Sequence, residues 1–105
     1  MGDDAMAMND FAWNTLTAKG GDVYAAGLLP VVQRASELTN GKNWYVLDTL
    51  AHVQFAMGDH DAAIATEKRA VAIAKVTKDS RAREAEAALE RFLEAEDSED
   101  DGRDV

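Results

Sequence analysis

The sequence predicts an all-α domain, an α-α superhelix in which two antiparallel helix pairs stack and a fifth helix closes the end. Three observations predict this class. The 105-residue chain is 47% hydrophobic with a single proline, which is typical of one folded domain. Apolar residues recur at helical spacing in five segments. A helix–turn–helix unit also occurs twice, clearly over residues 44–77 and in degraded form over residues 5–43. Such a pair cannot bury its apolar face alone and therefore stacks on neighbours.

The first helix is predicted over about residues 4–19. Gly20 and Gly21 end it, because glycine readily adopts the left-handed conformation found just past helix ends. Residues 1–4 are predicted to form an N-terminal extension. One interpretation of this extension is that it was added in cloning. The apolar face consists of Met8, Phe11, Ala12 and Leu16.

Pro30 decides where the second helix begins, because proline is tolerated in an opening turn and breaks a hydrogen bond further along. In one interpretation residues 22–26 form a separate turn capped by Asp22, and the helix starts near Gly27. In the other, a kinked helix starts at Val23. We favour the separate turn. The apolar stripe is then Leu29, Val32, Ala35 and Leu38, and residues 40–43 form the next break.

The third and fourth helices form the clear copy of the unit, over about residues 44–57 and up to residue 77. Gly58 and Asp59 make the short turn between them, and Asp59 or Asp61 caps the fourth helix. The inward residues of the third helix are Leu47, Leu50, Ala51 and Phe55. Those of the fourth are Ala63, Ile64, Ala70, Val71, Ile73 and Ala74.

The fifth helix is predicted over about residues 81–96, after a cap at Asp79 or Ser80. Its inward face can either close the array as a cap or meet a second subunit in a homodimer, and we favour the cap. Residues 97–105 are predicted to be a disordered acidic tail. The residues of the inward face are Ala82, Ala85, Leu89, Phe92 and Leu93.

The two units align with each other, residues 8–16 with 47–55 and residues 29–38 with 64–73, and the clear copy resembles a tetratricopeptide (TPR) repeat. The matching positions are Leu47, Leu50, Ala51, Gly58, Ala63 and Ala70. Gln54 and Glu67 stand where the family usually has an aromatic residue, and Lys75 replaces its closing proline. Residues 37–51 are similar to a bacterial subgroup of these repeats, which often belong to larger proteins, some with thioredoxin-like domains. The resemblance implies closely packed helix pairs and a protein-binding function.

In the family, the first helix of each pair lines a concave groove, so the resemblance implies a set of groove residues. Aromatic side chains there suit an extended peptide or a partner helix. The competing interpretation is that Trp13, Leu16 and Phe55 only seal the core, whereas Tyr45 and His52 are expected to be exposed. The predicted groove residues are Asn9, Trp13, Tyr45, Asp48, His52 and Phe55.

Charge narrows the class of partner. The formal net charge is −9, and acidic residues concentrate after Glu94. Neither this acidic tail nor the rest of the chain is basic, which argues against nucleic acid and an anionic membrane surface as partners. Some family members hold a peptide carboxylate with groove cations, but Asp48 and His52 stand where such cations are needed. A basic or neutral protein or peptide is therefore the predicted partner.

The sequence predicts a non-enzymatic chain with no catalytic residues, no cofactor and no metal site. The chain has no cysteine, so disulfides and thiolate chemistry are excluded. Asp48 and His52 lie four residues apart on one helix and could form half of a metal site, but we favour a surface hydrogen bond. No apolar run approaches the roughly 18 residues of a membrane span. The N-terminus lacks the features of a signal peptide, and the cell compartment stays open.

The predicted function is therefore that of a non-catalytic protein-interaction module. The alternative is a structural domain, either for dimerisation or as a spacer in a larger bacterial protein.

Overall fold

The computed structural model describes the backbone of residues 4–103 and the side chains of residues 4–95. It contains no strand within that backbone, and its helices confirm the predicted all-α class. The five α-helices, with a short 3-10 helix (Gly21–Tyr24) between the first two, are α1 (Ala5–Thr17), α2 (Ala25–Leu38), α3 (Trp44–Ala56), α4 (His60–Val76) and α5 (Ala82–Arg103).

The helices pack as two neighbouring pairs with a closing helix. α1 packs against α2, and α3 packs against α4. α2 also contacts α3, which joins the pairs, and α5 packs against α4. No described helix has both the length and the apolar content needed to cross a bilayer.

Small residues lie where the helices approach one another. Ala51, Ala63 and Ala70, the three alanines of the repeat pattern, are each 0% exposed. Leu47, which belongs to the same core cluster as Ala70, is also 0% exposed. Close packing of this kind leaves no room for a larger side chain at the alanine positions. The small residues of the pattern that predicted the fold are thus buried where α3 and α4 pack together.

The start of the second helix differs from the prediction. The separate turn exists as the 3-10 helix, but it leads directly into α2 at Ala25, so Pro30 lies inside the helix and not in its first turn. Pro30 and Ala26 are both exposed, so the Ala26 carbonyl that loses its helical partner faces water. Asp22 makes no capping hydrogen bond.

Gly21 is required by the close approach of the 3-10 helix to the end of α1. A Cβ atom at this position would lie 2.0 Å from the carbonyl oxygen of Thr15 and 2.6 Å from that of Leu16. No side chain fits that space, so the predicted glycine break is fixed by packing as well as by backbone conformation.

The other helix starts follow their predicted or equivalent caps. Asp4 accepts a hydrogen bond from the Ala7 amide, so it belongs to α1 and not to the N-terminal extension. Asn43 caps α3. Asp59, and not Asp61, caps α4. Each cap satisfies an amide that has no partner inside its helix.

Two predicted inward residues are exposed. Phe11 is 46% exposed, because none of the described helices packs against that side of α1. Leu93 is 39% exposed, whereas its neighbour Phe92 is 3% exposed. Ala85, Ala88 and Phe92 form the buried face of α5, and Leu93 points about 100° away from Phe92 around the helix. The structure therefore corrects Phe11 and Leu93.

The last helix extends beyond its predicted end. The predicted end is near Glu96, whereas the helical backbone of α5 continues to Arg103. The side chains of the acidic segment lie outside the described residues, as do residues 1–3 and 104–105. The predicted disorder of residues 97–105 stays a prediction.

Candidate functional site

A pocket of about 410 Å³ lies between α1, α3 and α5. Its walls include five of the six predicted groove residues. The sequence did not place α5 in the groove, but Arg81, Glu84 and Arg91 form the third wall. The predicted residues in the pocket are Asn9, Trp13, Tyr45, Asp48 and His52.

Phe55 lies outside the pocket. Its ring stacks on Phe92 of α5 at 4.5 Å between centroids, with 15° between the ring planes. His60 stacks on it as well, at 4.3 Å. α5 therefore covers the end of α3 that carries Phe55, and the pocket is limited to the preceding turns.

Tyr45 is half-buried, contrary to its expected exposure, because its hydroxyl has a fixed partner. The hydroxyl donates to Oδ2 of Asp79 at 2.9 Å, and Trp44 Nε1 donates to the same oxygen at 3.1 Å. The other Asp79 oxygen accepts from the Arg81 amide, and the Arg81 guanidinium lies 4.3 Å from the Tyr45 ring centroid. The sequence identified Asp79 only as a cap, and it also anchors α3 to the start of α5.

Replacing Asp79 with alanine is expected to lower the free energy of unfolding by about 2–3 kcal/mol, because it leaves two ring donors unpaired and removes a cap. Urea unfolding followed by circular dichroism measures this. The matched control is Asp61→Ala, an exposed aspartate in the first turn of α4, which should cost less than about 0.5 kcal/mol. Equal costs for both variants would contradict the anchoring role of Asp79.

His52 is held between two aromatic rings at the inner end of the pocket. Both rings meet His52 edge-on, with 4.9 Å between the ring centroids of His52 and Trp13 and 5.1 Å between those of His52 and Phe92. Its Nδ1 lies 2.8 Å from the carbonyl oxygen of Asp48, so this nitrogen carries a proton in the bond. His52 is therefore half-buried and fixed in orientation, whereas the sequence predicted it to be exposed.

Glu67 of α4 lies behind Asp48 and His52 and is 0% exposed. Its Oε1 is 3.9 Å from His52 Nδ1, which is also 3.5 Å from Oδ1 of Asp48. No amide, ring N–H or hydroxyl group among the described residues donates a hydrogen bond to either Glu67 oxygen, to Asp48 Oδ1 or to Asn9 Oδ1. The inner end of the pocket is therefore rich in acceptors that lack donors.

The pKa of the Glu67 carboxyl is raised from its ordinary 4.5 to about 10, and burial is the largest cause. A hydrogen bond with Asp48 and the negative charge of Asp48 contribute to this rise, whereas the charge of Arg91 opposes it. Two ionised carboxylates cannot bond to each other, so this hydrogen bond requires one proton on the pair, and the raised pKa places it on Glu67.

The sequence marked Glu67 as a departure from an aromatic position but did not link it to the site. One signal for this link was available in the sequence, because Glu67 is a charged residue at a position that the repeat pattern makes internal. The link to Asp48 and His52 depends on how α3 and α4 pair, which the spacing within one helix does not show.

The fold and pocket together define an all-α, helical-repeat-like protein. No family model, curated protein or solved structure matches the chain. The TPR resemblance therefore depends on the residues quoted above, and function has to be argued from the pocket.

Proposed function

We propose that the chain is a non-catalytic protein-interaction module that binds a peptide in the pocket between α1, α3 and α5. The observation that supports this most is the convergence of Asn9, Trp13, Tyr45, Asp48 and His52 on one pocket. Its volume of about 410 Å³ is within the usual range for ligand pockets and fits one or two side chains of a peptide.

The chemistry of the walls favours a peptide that brings hydrogen-bond donors. Trp13 supplies a large aromatic surface, which is typical of residues that dominate binding energy. Asn9 Oδ1 is buried and unpartnered, and a peptide amide or a basic side chain would satisfy it. Three acidic residues of the lining (Asp10, Asp48 and Glu84) outnumber its two arginines (Arg81 and Arg91), so a basic or neutral segment fits better than an acidic one.

A random-peptide phage library selected on the immobilised protein tests the proposal. Peptides enriched on the wild type should bind Trp13→Ala at least about tenfold more weakly, because truncation of a central aromatic contact commonly costs more than 1.4 kcal/mol. Phe11→Ala is the matched control, since Phe11 lies on the same helix but is exposed outside the pocket.

Fluorescence anisotropy with labelled peptides and circular dichroism of each variant separate binding from folding. No enriched peptide would count against the proposal, and so would an equal loss of affinity in a folded Phe11→Ala protein.

The alternative function is structural, as a dimerisation or spacer domain. A shallow apolar depression at the end of α4, lined by Ala72, Ile73 and Val76, favours it, because Val76 is 82% exposed. Light scattering discriminates the two functions. A monomer near 11.4 kDa fits the interaction module, whereas a concentration-independent dimer that Val76→Asp disperses would favour the alternative.

A further inference from the structure

Three side chains of metal-ligating chemistry meet at the inner end of the pocket, and the peptide proposal does not use them together. They are Asp48 and His52 of α3 and Glu67 of α4, and one donor atom of each lies within 4.8 Å of the other two. His52 Nδ1 is 3.5 Å from Asp48 Oδ1 and 3.9 Å from Glu67 Oε1.

The two carboxyl groups of this cluster need either a proton or a cation between them. Glu67 is 0% exposed, both of its oxygens lack a hydrogen-bond donor among the described residues, and Oε1 faces His52. Asp48 Oδ1 is buried and unpartnered as well. An isolated buried carboxylate is strongly unfavourable, and the means of compensating it are a proton, a charged partner or a metal ion.

The spacing of the donor atoms is close to that of a coordination sphere. With metal–ligand bonds of about 2.0–2.2 Å, neighbouring ligand atoms of a tetrahedral centre are about 3.3–3.6 Å apart. The distance between His52 Nδ1 and Asp48 Oδ1 already falls in that range, and that between Nδ1 and Glu67 Oε1 needs a closure of a few tenths of an ångström. The rings of Trp13 and Phe92 restrict the rotation of His52 away from the carboxylates.

We propose that Asp48, His52 and Glu67 bind one Zn²⁺ ion at the inner end of the pocket. A nitrogen with two carboxylates suits Zn²⁺, whereas Ca²⁺ and Mg²⁺ prefer oxygen ligands alone. Three protein ligands leave the fourth position open on the pocket side. Binding moves the His52 proton from Nδ1 to Nε2 through solvent, so that Nδ1 exchanges its hydrogen bond with the Asp48 carbonyl for the metal bond. The carboxyl proton of Glu67 is displaced to solvent.

Zinc titration of chelator-treated protein tests the site. Isothermal calorimetry should show one Zn²⁺ per chain, and Tm should rise by about 10 °C or more at a hundredfold excess over Kd. Co²⁺ in place of Zn²⁺ should give the visible absorption bands of a tetrahedral nitrogen–oxygen site.

Variants assign the ligands. Glu67→Gln should still fold, since the amide is a neutral isostere, and should weaken Zn²⁺ binding by more than about 100-fold, the upper figure for loss of an outer-shell partner. Asp48→Asn should do the same. His60→Gln is the matched control, because His60 is the other histidine and lies outside the cluster, and it should keep wild-type affinity.

Absence of Zn²⁺ binding at millimolar concentration would overturn the proposal, and so would unchanged affinity in Glu67→Gln or loss of binding in His60→Gln. The site does not depend on the peptide proposal. Repeating the peptide measurements with and without chelator keeps the two outcomes separate.

Discussion

Replacing Phe92 with alanine is expected to lower the free energy of unfolding by about 3–5 kcal/mol, the usual cost of truncating a buried phenylalanine. Phe92 is 3% exposed and contacts Phe55 and His52 of α3. The variant would leave a cavity where α5 closes the array and would weaken one wall of the pocket. Urea unfolding followed by circular dichroism measures the change.

The neighbouring residue provides the control for this variant. Leu93 lies on the same helix but is 39% exposed, so Leu93→Ala should cost less than about 1 kcal/mol. If Leu93→Ala cost as much as Phe92→Ala, the face that α5 presents to the core would be wrong. The outcome also bears on the use of α5 as a cap, because Phe92 cannot both fill the core and contact a second subunit.

Replacing Glu67 with glutamine in metal-free protein is expected to raise the free energy of unfolding by about 1–3 kcal/mol near neutral pH, because a carboxyl kept protonated above its ordinary pKa costs up to about 1.4 kcal/mol per pH unit. The glutamine amide can donate to Asp48 at any pH, whereas the glutamate can donate only while its carboxyl is protonated. The raised pKa of Glu67 in the folded state is the physical cause.

The pH dependence of this difference has a definite sign. The unfolded carboxyl ionises near 4.5, whereas the folded one keeps its proton up to about pH 10. The stability that the protonated group contributes is complete below pH 4.5 and is lost as pH rises through that window, by up to about 1.4 kcal/mol per pH unit. The advantage of Glu67→Gln should therefore grow from pH 5 to pH 8.

Urea unfolding of both proteins at several pH values, with chelator present, measures this growth. Glu90→Gln is the control, because Glu90 is an exposed carboxyl on α5, and its effect should stay within about 0.5 kcal/mol. A stability difference for Glu67→Gln that did not change between pH 5 and pH 8 would contradict the assigned state of Glu67.

The fold could be predicted from the sequence because its signals are local and repeat. Helical spacing of apolar residues located five helices, and the small residues of the repeat pattern located the close approach of α3 and α4. The spacing of apolar residues did not show which helix faces are covered by a neighbour, so Phe11 was assigned to the core although its side of α1 is exposed. Pro30 was misplaced because the preceding 3-10 helix continues directly into α2.

The pocket was partly predictable for the same reason. Asn9, Trp13 and His52 converge because equivalent positions of equivalent helices face the same side. Phe55 does not join them, because α5 covers it. Glu67 was not connected to the site because it reaches Asp48 and His52 from another helix, and that contact follows from packing and not from sequence spacing.

The fold depends most on the close packing of α3 and α4, with Ala63 buried at their contact. The most direct test compares Ala63→Leu with Ala65→Leu, which lies on the exposed side of the same helix. Ala63→Leu is expected to lower the free energy of unfolding by about 1–3 kcal/mol through overpacking, whereas Ala65→Leu should change it very little. If urea unfolding showed that leucine is tolerated equally at both positions, the helix packing described here would be wrong.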